Sequence, residues 1–257
     1  MNKIRVTKSL VPNLLTLVNL FSGFAAIVYI ADGDIKRGAL FILIAAVFDM
    51  LDGLVARLIN AASEFGAELD SLCDVVSFGI APSFMLYTVY FHNFSEFGIL
   101  LAALPALTGA ARLARFNIQL TSLEDKIYFK GLPIPSAALT IVSFTIFADS
   151  YNFFGTNLSQ YIYWFLTLAV SYSMISTVKF DNIPRPSKKS FTQRPIVTVV
   201  FIIGIIASVA SLGELVFPFM MLYIIASTIR HLINFIREIK EPEDELDDVE
   251  ESEPTPF

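Results

Sequence analysis

The sequence predicts an all-α fold: a polytopic integral membrane helical bundle of about eight transmembrane helices, six at the least. Three observations carry this. First, 55% of the 257 residues are hydrophobic, only 16% are charged, and the mean hydropathy is +0.64. A soluble domain would carry about 25% charged residues. Second, eight apolar segments approach the length of about 20 residues that crosses the hydrocarbon. Third, Lys and Arg fall almost entirely on one side of an eight-span arrangement, which fixes orientation by the positive-inside rule.

In chain order the segments are 10–31, 38–60, 69–92, 97–116, 132–150, 158–178, 195–212 and 213–237. The first is about 20 residues long and lacks an A-x-A-like cleavage site, so it is expected to stay as an anchor. The second and third carry the chain's most unusual residues, treated below. The fourth ends in Arg112 and Arg115, and the basic loop 117–131 leads into the fifth. The sixth ends at a second basic loop, 179–194, which reads as a cytoplasmic anchor meeting anionic lipid headgroups. The seventh is short, and its break from the eighth at Ser211 to Glu214 is tight enough for one helical hairpin.

Sixteen of the 18 Lys and Arg residues fall on the side of both termini. The other side holds only Lys36 and Arg37, beside Asp32 and Asp34. Both termini are therefore expected in the cytoplasm. The net charge of −6 comes from the tail: residues 241–257 hold nine of the 24 acids, three prolines and no base. The expected organisation is a membrane-embedded catalytic domain over 1–240 and a disordered acidic tail over 241–257. The single cysteine, Cys73, excludes an internal disulfide and reads as packing. His92 and His231 read as interfacial. The bilayer is an expected partner; nucleic acid is not.

Asp49, Asp52, Asp70 and Asp74 lie inside the second and third apolar segments. One carboxylate at the centre of a membrane helix costs about 2.5 to 3.5 kcal/mol. Four together require bound positive charge or access to water. Asp49, Asp52, Gly53 and Ala56 follow i, i+3, i+4, i+7 spacing, so they share one helix face. Asp70 and Asp74, four apart, share a face of the next helix. Two facing helices thus present four carboxylates to one volume. Hard oxygen ligands suit Mg²⁺, Mn²⁺ or Ca²⁺, and four carboxylates suffice for two ions about 3.5–4 Å apart that clamp a diphosphate. With a helix exit near residue 60, Asp49 lies roughly 16 Å deep. Gly53 and Ala56 read as close helix packing or as room for a flat ligand. Arg57 reads as a boundary anchor or a phosphate ligand.

The spacing D-x2-D-G-x2-A-R-x8-G-x3-D-x3-D, running from Asp49 to Asp74 without a gap, resembles the signature of the CDP-alcohol phosphotransferase family. More of the chain is similar to its phosphatidylserine synthase branch. Pro12 to Gly23, Ala111-Arg112-Leu-Ala-Arg115-Phe-Asn117 and Phe129-Lys130-Gly131-Leu-Pro133-Ile-Pro135-Ser136 carry that likeness, over a motif core of 12–136. The resemblance implies transfer of a phosphatidyl group from CDP-diacylglycerol to L-serine, with release of CMP. It implies Mg²⁺ or Mn²⁺, two ions, held by Asp49, Asp52, Asp70 and Asp74, with Asp74 also the base. It implies CDP-lipid contacts at Asn13, Thr16, Asn19, Gly53, Ala56, Arg57 and Gly66, and a homodimer.

Asn13, Thr16 and Asn19 line one side of the first span; the residues alone read as interhelical glue, and the resemblance implies contacts to the cytidine or its ribose. Arg112, Arg115, Asn117 and Lys130 crowd the cytoplasmic end of the fourth span. Such a set suits an acceptor bearing a carboxylate or a phosphate, because guanidinium forks match both. Serine brings the first; glycerol 3-phosphate and inositol phosphate bring the second. The likeness to the serine branch favours serine. A cation transporter would explain intramembrane acids but not Gly53, Ala56 and Arg57 at fixed offsets.

Overall fold

A computed structural model describes residues 9–61, 63–121, 131–151, 155–176, 178 and 215–240. Among them every regular element is helical. Helix α1 spans Leu10–Ala31 and α2 spans Ile35–Leu58. The connection is three residues long, so the two form a hairpin. Gly33 takes φ +82° in the turn, and Asp34 caps α2 by accepting from the Arg37 N–H at 3.0 Å. Gly38 lies against Ile30, and a Cβ there would sit 3.1 Å from the Ala26 carbonyl. Small residues at such crossings let membrane helices approach closely.

Helix α3 runs from Glu64 to Val89 as one rod. Ser63 starts it by accepting from the Gly66 N–H at 3.1 Å. The rod is not regular: Val75–Ile80 forms a wider π-turn. Pro82 follows directly and has no N–H for the Phe78 carbonyl one turn back, which the wider turn accommodates. A short 3-10 turn, Phe91–Phe94, leads to α4 at Ser95–Thr121. Pro105 interrupts α4, and the next amide, Ala106 N–H, donates across to Ser83 Oγ at 3.1 Å.

Helix α5 (Ile134–Tyr151), α6 (Gly155–Ile175) and α7 (Val216–Lys240) complete the described bundle. The chain entering α5 is clipped to the end of α6. Gly131 N–H donates to the Val178 carbonyl at 2.8 Å, and Leu132 N–H to Ser173 at 3.0 Å. The buried core includes Ile30, Ile42, Phe78, Met85, Leu132 and Phe144. An aromatic cluster closes the end of α3 remote from its aspartates. There Trp164 Nε1 donates to Tyr90 Oη at 2.9 Å, and Phe91 and Phe94 meet the indole edge-on.

Large apolar side chains also face outward, among them Phe21, Phe24, Leu107, Phe165 and Tyr172. That pattern needs lipid around it. Four rods are long and apolar enough to cross a membrane: Leu10–Ala31, Ile35–Leu58, Glu64–Val89 and Phe91–Ile118. The all-α membrane architecture is therefore present, with seven of the expected eight rods among the described residues. The expected span 195–212, the loop 179–194, Lys130 and the tail 241–257 lie outside the described residues. Two boundaries differ from expectation by five residues, the others by three or fewer. Helix α3 begins at Glu64 rather than residue 69, because the Ser63 cap initiates it in polar sequence. Helix α4 runs to Thr121 rather than 116, as its basic end stays helical beyond the apolar stretch.

Two glycines with left-handed backbone separate conformational from steric cost. Gly131 has φ +86°, and an added Cβ would strike the Met174 carbonyl, whereas Gly33 has nothing within 4 Å. Gly33→Ala is expected to destabilise by about 1–2 kcal/mol. Gly131→Ala is expected to cost about 1–3 kcal/mol more. Unfolding in detergent measures both; equal effects would refute the packing at Gly131.

Candidate active site

Helix spacing predicts which acids share a face, and packing decides which of them meet. One carboxylate oxygen each from Asp49 on α2 and from Asp70 and Asp74 on α3 lie within 4.8 Å of one another. Asp52, one turn along α2, stands beside this triple and not within it. Its Oδ2 accepts from Thr16 Oγ1 of α1 at 2.7 Å. Asp74 Oδ1 accepts from Asn19 Nδ2, also on α1, at 3.3 Å. Asp52 and Asp74 are both buried, at 5% and 7% exposure. Helix α2 ends nine residues past Asp49, so that side chain lies about 14 Å from the helix end, slightly shallower than expected.

Three carboxylates this close repel one another strongly where the dielectric is low. Asp70 Oδ1 is buried and accepts no hydrogen bond. An unpaired buried charge of this kind is normally satisfied by a partner cation or a metal. All the donor atoms are hard oxygens, so the triple fits an ion such as Mg²⁺ or Mn²⁺. The residues present can therefore hold a divalent metal.

The other expected residues divide. A Cβ added at Gly53 would find only Arg57 Nη1, at 3.9 Å, so this side of α2 opens to free space. Ala56 is half-buried and Arg57 exposed. Gly66 faces a filled space instead: a Cβ there would lie 3.1 Å from Ser63 Oγ and 3.2 Å from Asn13 Oδ1. Thr16 and Asn19 act as interhelical glue of a particular kind, since both bond to aspartates of the cluster.

Of the four residues expected around the acceptor, Arg112, Arg115 and Asn117 are among the described residues. Arg112 is buried at 7% exposure, its Nε makes no hydrogen bond, and it lies in electrostatic range of Asp74. Arg115 Nη1 donates to the Ile175 carbonyl at 3.2 Å, closing the end of α6. Asn117 Nδ2 donates to Ser71 Oγ at 3.1 Å and to Glu68 Oε2 at 3.4 Å. Arg112 brings a buried positive charge into range of the acids. Ser77 was not singled out by sequence, yet its hydroxyl donates to the Asn19 carbonyl at 3.0 Å. The available signal was a lone hydroxyl three residues after Asp74 in an apolar run.

Chemically, the site offers a hard-metal cradle, a buried carboxylate oriented by an amide, an open glycine face and a buried guanidinium. A family model described as CDP-alcohol phosphatidyltransferase matches residues 9–175, which include all four aspartates. The chain is similar to the CDP-diacylglycerol–serine O-phosphatidyltransferase of Helicobacter pylori, at 35% identity over 90% of this chain and 94% of the relative. It is 37% identical to the archaetidylserine synthase of Methanothermobacter thermautotrophicus, over 71% of this chain and 75% of that protein. It is 35% identical to the CDP-diacylglycerol–serine O-phosphatidyltransferase of Bacillus subtilis, over 67% and 90% respectively.

The cradle makes a direct prediction. Mn²⁺ titration of the substrate-free protein, followed by electron paramagnetic resonance, is expected to show binding that Asp70→Ala or Asp49→Ala weakens at least about tenfold. Asp49→Glu is expected to weaken it too, because the added methylene displaces a ligand. Binding unchanged by all three variants would place the ion elsewhere.

Proposed function

The chain belongs to the CDP-alcohol phosphatidyltransferase family, and from that premise we propose that it transfers a phosphatidyl group from CDP-diacylglycerol to the hydroxyl of L-serine. The products are phosphatidylserine and CMP. The observation that carries this reading is the meeting of Asp49, Asp70 and Asp74 from two adjacent helices inside a lipid-facing bundle. The relatives support the acceptor: their names share serine, as CDP-diacylglycerol–serine O-phosphatidyltransferase or as archaetidylserine synthase.

Asp49, Asp52, Asp70 and Asp74 would hold Mg²⁺ or Mn²⁺, two ions in all, and the metal would supply Lewis-acid neutralisation of the donor diphosphate. Asp74 takes the proton from the serine hydroxyl. The serine oxygen forms a bond to the lipid-bearing phosphorus, the bond from that phosphorus to CMP breaks, and CMP leaves. The Asn19 amide keeps the Asp74 carboxylate aimed, and burial keeps bulk water from competing as acceptor. The open face at Gly53 receives the nucleotide, with Ala56 and Arg57 along the same helix. Asn13, Thr16, Asn19 and Gly66 complete the donor side. Arg112 meets the serine carboxylate, supported by Arg115, Asn117 and Lys130.

The wider arrangement follows the charge pattern. Eight spans over residues 1–240 place both termini and the site on the cytoplasmic side, where serine and CMP are soluble. The donor's acyl chains stay in the bilayer while its headgroup enters the cavity. The acidic segment 241–257 is a cytoplasmic tail, and two copies of the chain associate.

Purified protein with CDP-diacylglycerol, Mn²⁺ and labelled alcohols tests the reading. Labelled serine is expected to enter lipid with stoichiometric CMP release. Product from glycerol 3-phosphate and none from serine would overturn the acceptor. Asp74→Asn is expected to keep CDP-lipid binding and to lower turnover by about 10²–10⁴-fold; a near-normal rate would remove Asp74 as the base.

A further inference from the structure

We propose that Ser77 is a positioning residue for Asp74, acting through Asn19, and that Gly23 is the residue that admits it. The inference rests on the reading of Asp74 as the base.

Buried hydroxyls in this bundle mostly bond back to their own helix. Ser22 donates to the Val18 carbonyl, Thr140 to Ser136, Thr145 to Ile141 and Thr167 to Tyr163, each four residues earlier. This is the usual way to satisfy Ser and Thr inside a helix. Ser77 departs from it. Wholly buried in the π-turn of α3, it crosses to α1 and donates to the backbone carbonyl of Asn19 at 3.0 Å. The side chain of the same Asn19 donates back across the interface to Asp74 Oδ1 at 3.3 Å. One residue of α1 is thus held at two points by residues 74 and 77 of α3.

Two points do what one cannot. A single bond to Asn19 fixes one distance; the second also fixes the backbone that carries the amide. The need is visible at the amide. Asn19 is fully buried, yet its Oδ1 has no hydrogen-bond partner. Nothing on the oxygen side steers the group, so the backbone beneath it decides where Nδ2 points. Ser77 holds that backbone.

Gly23 makes the contact possible. In a regular helix its N–H is the donor to the Asn19 carbonyl, four residues back. The second donor to that carbonyl must pass over Gly23. A Cβ at this position would overlap the Oγ, Cα and Cβ of Ser77. The wider π-turn brings Ser77 round to this gap, three residues after the carboxylate it serves.

The full-length protein in vesicles, supplied with CDP-diacylglycerol, Mn²⁺ and labelled serine, tests the chain of contacts by a double-mutant cycle. Ser77→Ala and Asn19→Ala are each expected to lower kcat about tenfold, and Ser77→Ala is expected to leave the KM for CDP-diacylglycerol unchanged. The double variant is expected to be no slower than the slower single one. Ser77→Cys, which keeps a weak donor at nearly the same size, is expected to recover part of the rate. In the substrate-free protein, Mn²⁺ affinity is expected to fall in both single variants and no further in the double. Multiplicative losses, a full rate in Ser77→Ala, or a rise in KM alone would overturn the proposal. If Asp74→Asn keeps its rate, the base assignment fails. The non-additive fall in Mn²⁺ affinity would then still establish the clasp.

Discussion

Carboxylates held in a low-dielectric bundle are the constraint around which this protein is organised. Each one prefers water, and each repels the others. The fold answers with α1, which carries no charge over the relevant turns yet touches both acidic arms. Thr16 reaches Asp52 on α2, and Asn19 reaches Asp74 on α3. A neutral donor lowers the cost of a buried carboxylate without cancelling its charge. The remaining charge is available for a cation that comes and goes with substrate. A buried Lys or Arg in α1 would have satisfied the acids permanently and left nothing for a metal.

The rest of the structure keeps these helices in register. Gly38 brings α2 against Ile30 of α1, and Gly23 of α1 lets Ser77 of α3 approach. Both contacts sit on the faces that carry the donors. The π-turn at Val75–Ile80 belongs to the same device, because it alters the phase of α3 just past Asp74. Pro82 and Pro105 make neighbouring helices irregular, and Ser83 ties them by taking the Ala106 amide. Rigidity near the acids contrasts with the open side of α2 at Gly53. A tight frame on one flank and free space on the other suit a site that must admit a large headgroup.

Much of this was legible in the sequence because helical spacing is arithmetic. Acids at i, i+3 and i, i+4 had to share faces, and hydropathy had to make the helices spans. The site's third dimension was less legible. Spacing within α2 treats Asp49 and Asp52 alike, whereas interhelical packing puts Asp49 in the triple and gives Asp52 to Thr16. Asn13, Thr16 and Asn19 were visible as polar exceptions, but their partners lie on other helices, beyond the reach of a local pattern. The acceptor residues looked like one patch because they are close in sequence. In the fold, successive helical positions point apart, so Arg112 turns inward while Asn117 meets Ser71. Ser77 escaped notice because one hydroxyl in an apolar run has an ordinary explanation in bonding to its own helix.

Crystals of the full-length protein grown with Mn²⁺, with diffraction recorded at the manganese edge, measure the central claim directly. An anomalous peak bounded by Asp49, Asp70 and Asp74 is expected, with the Thr16–Asp52 and Asn19–Asp74 hydrogen bonds intact beside it. A map with these side chains splayed apart and no peak among them would contradict it.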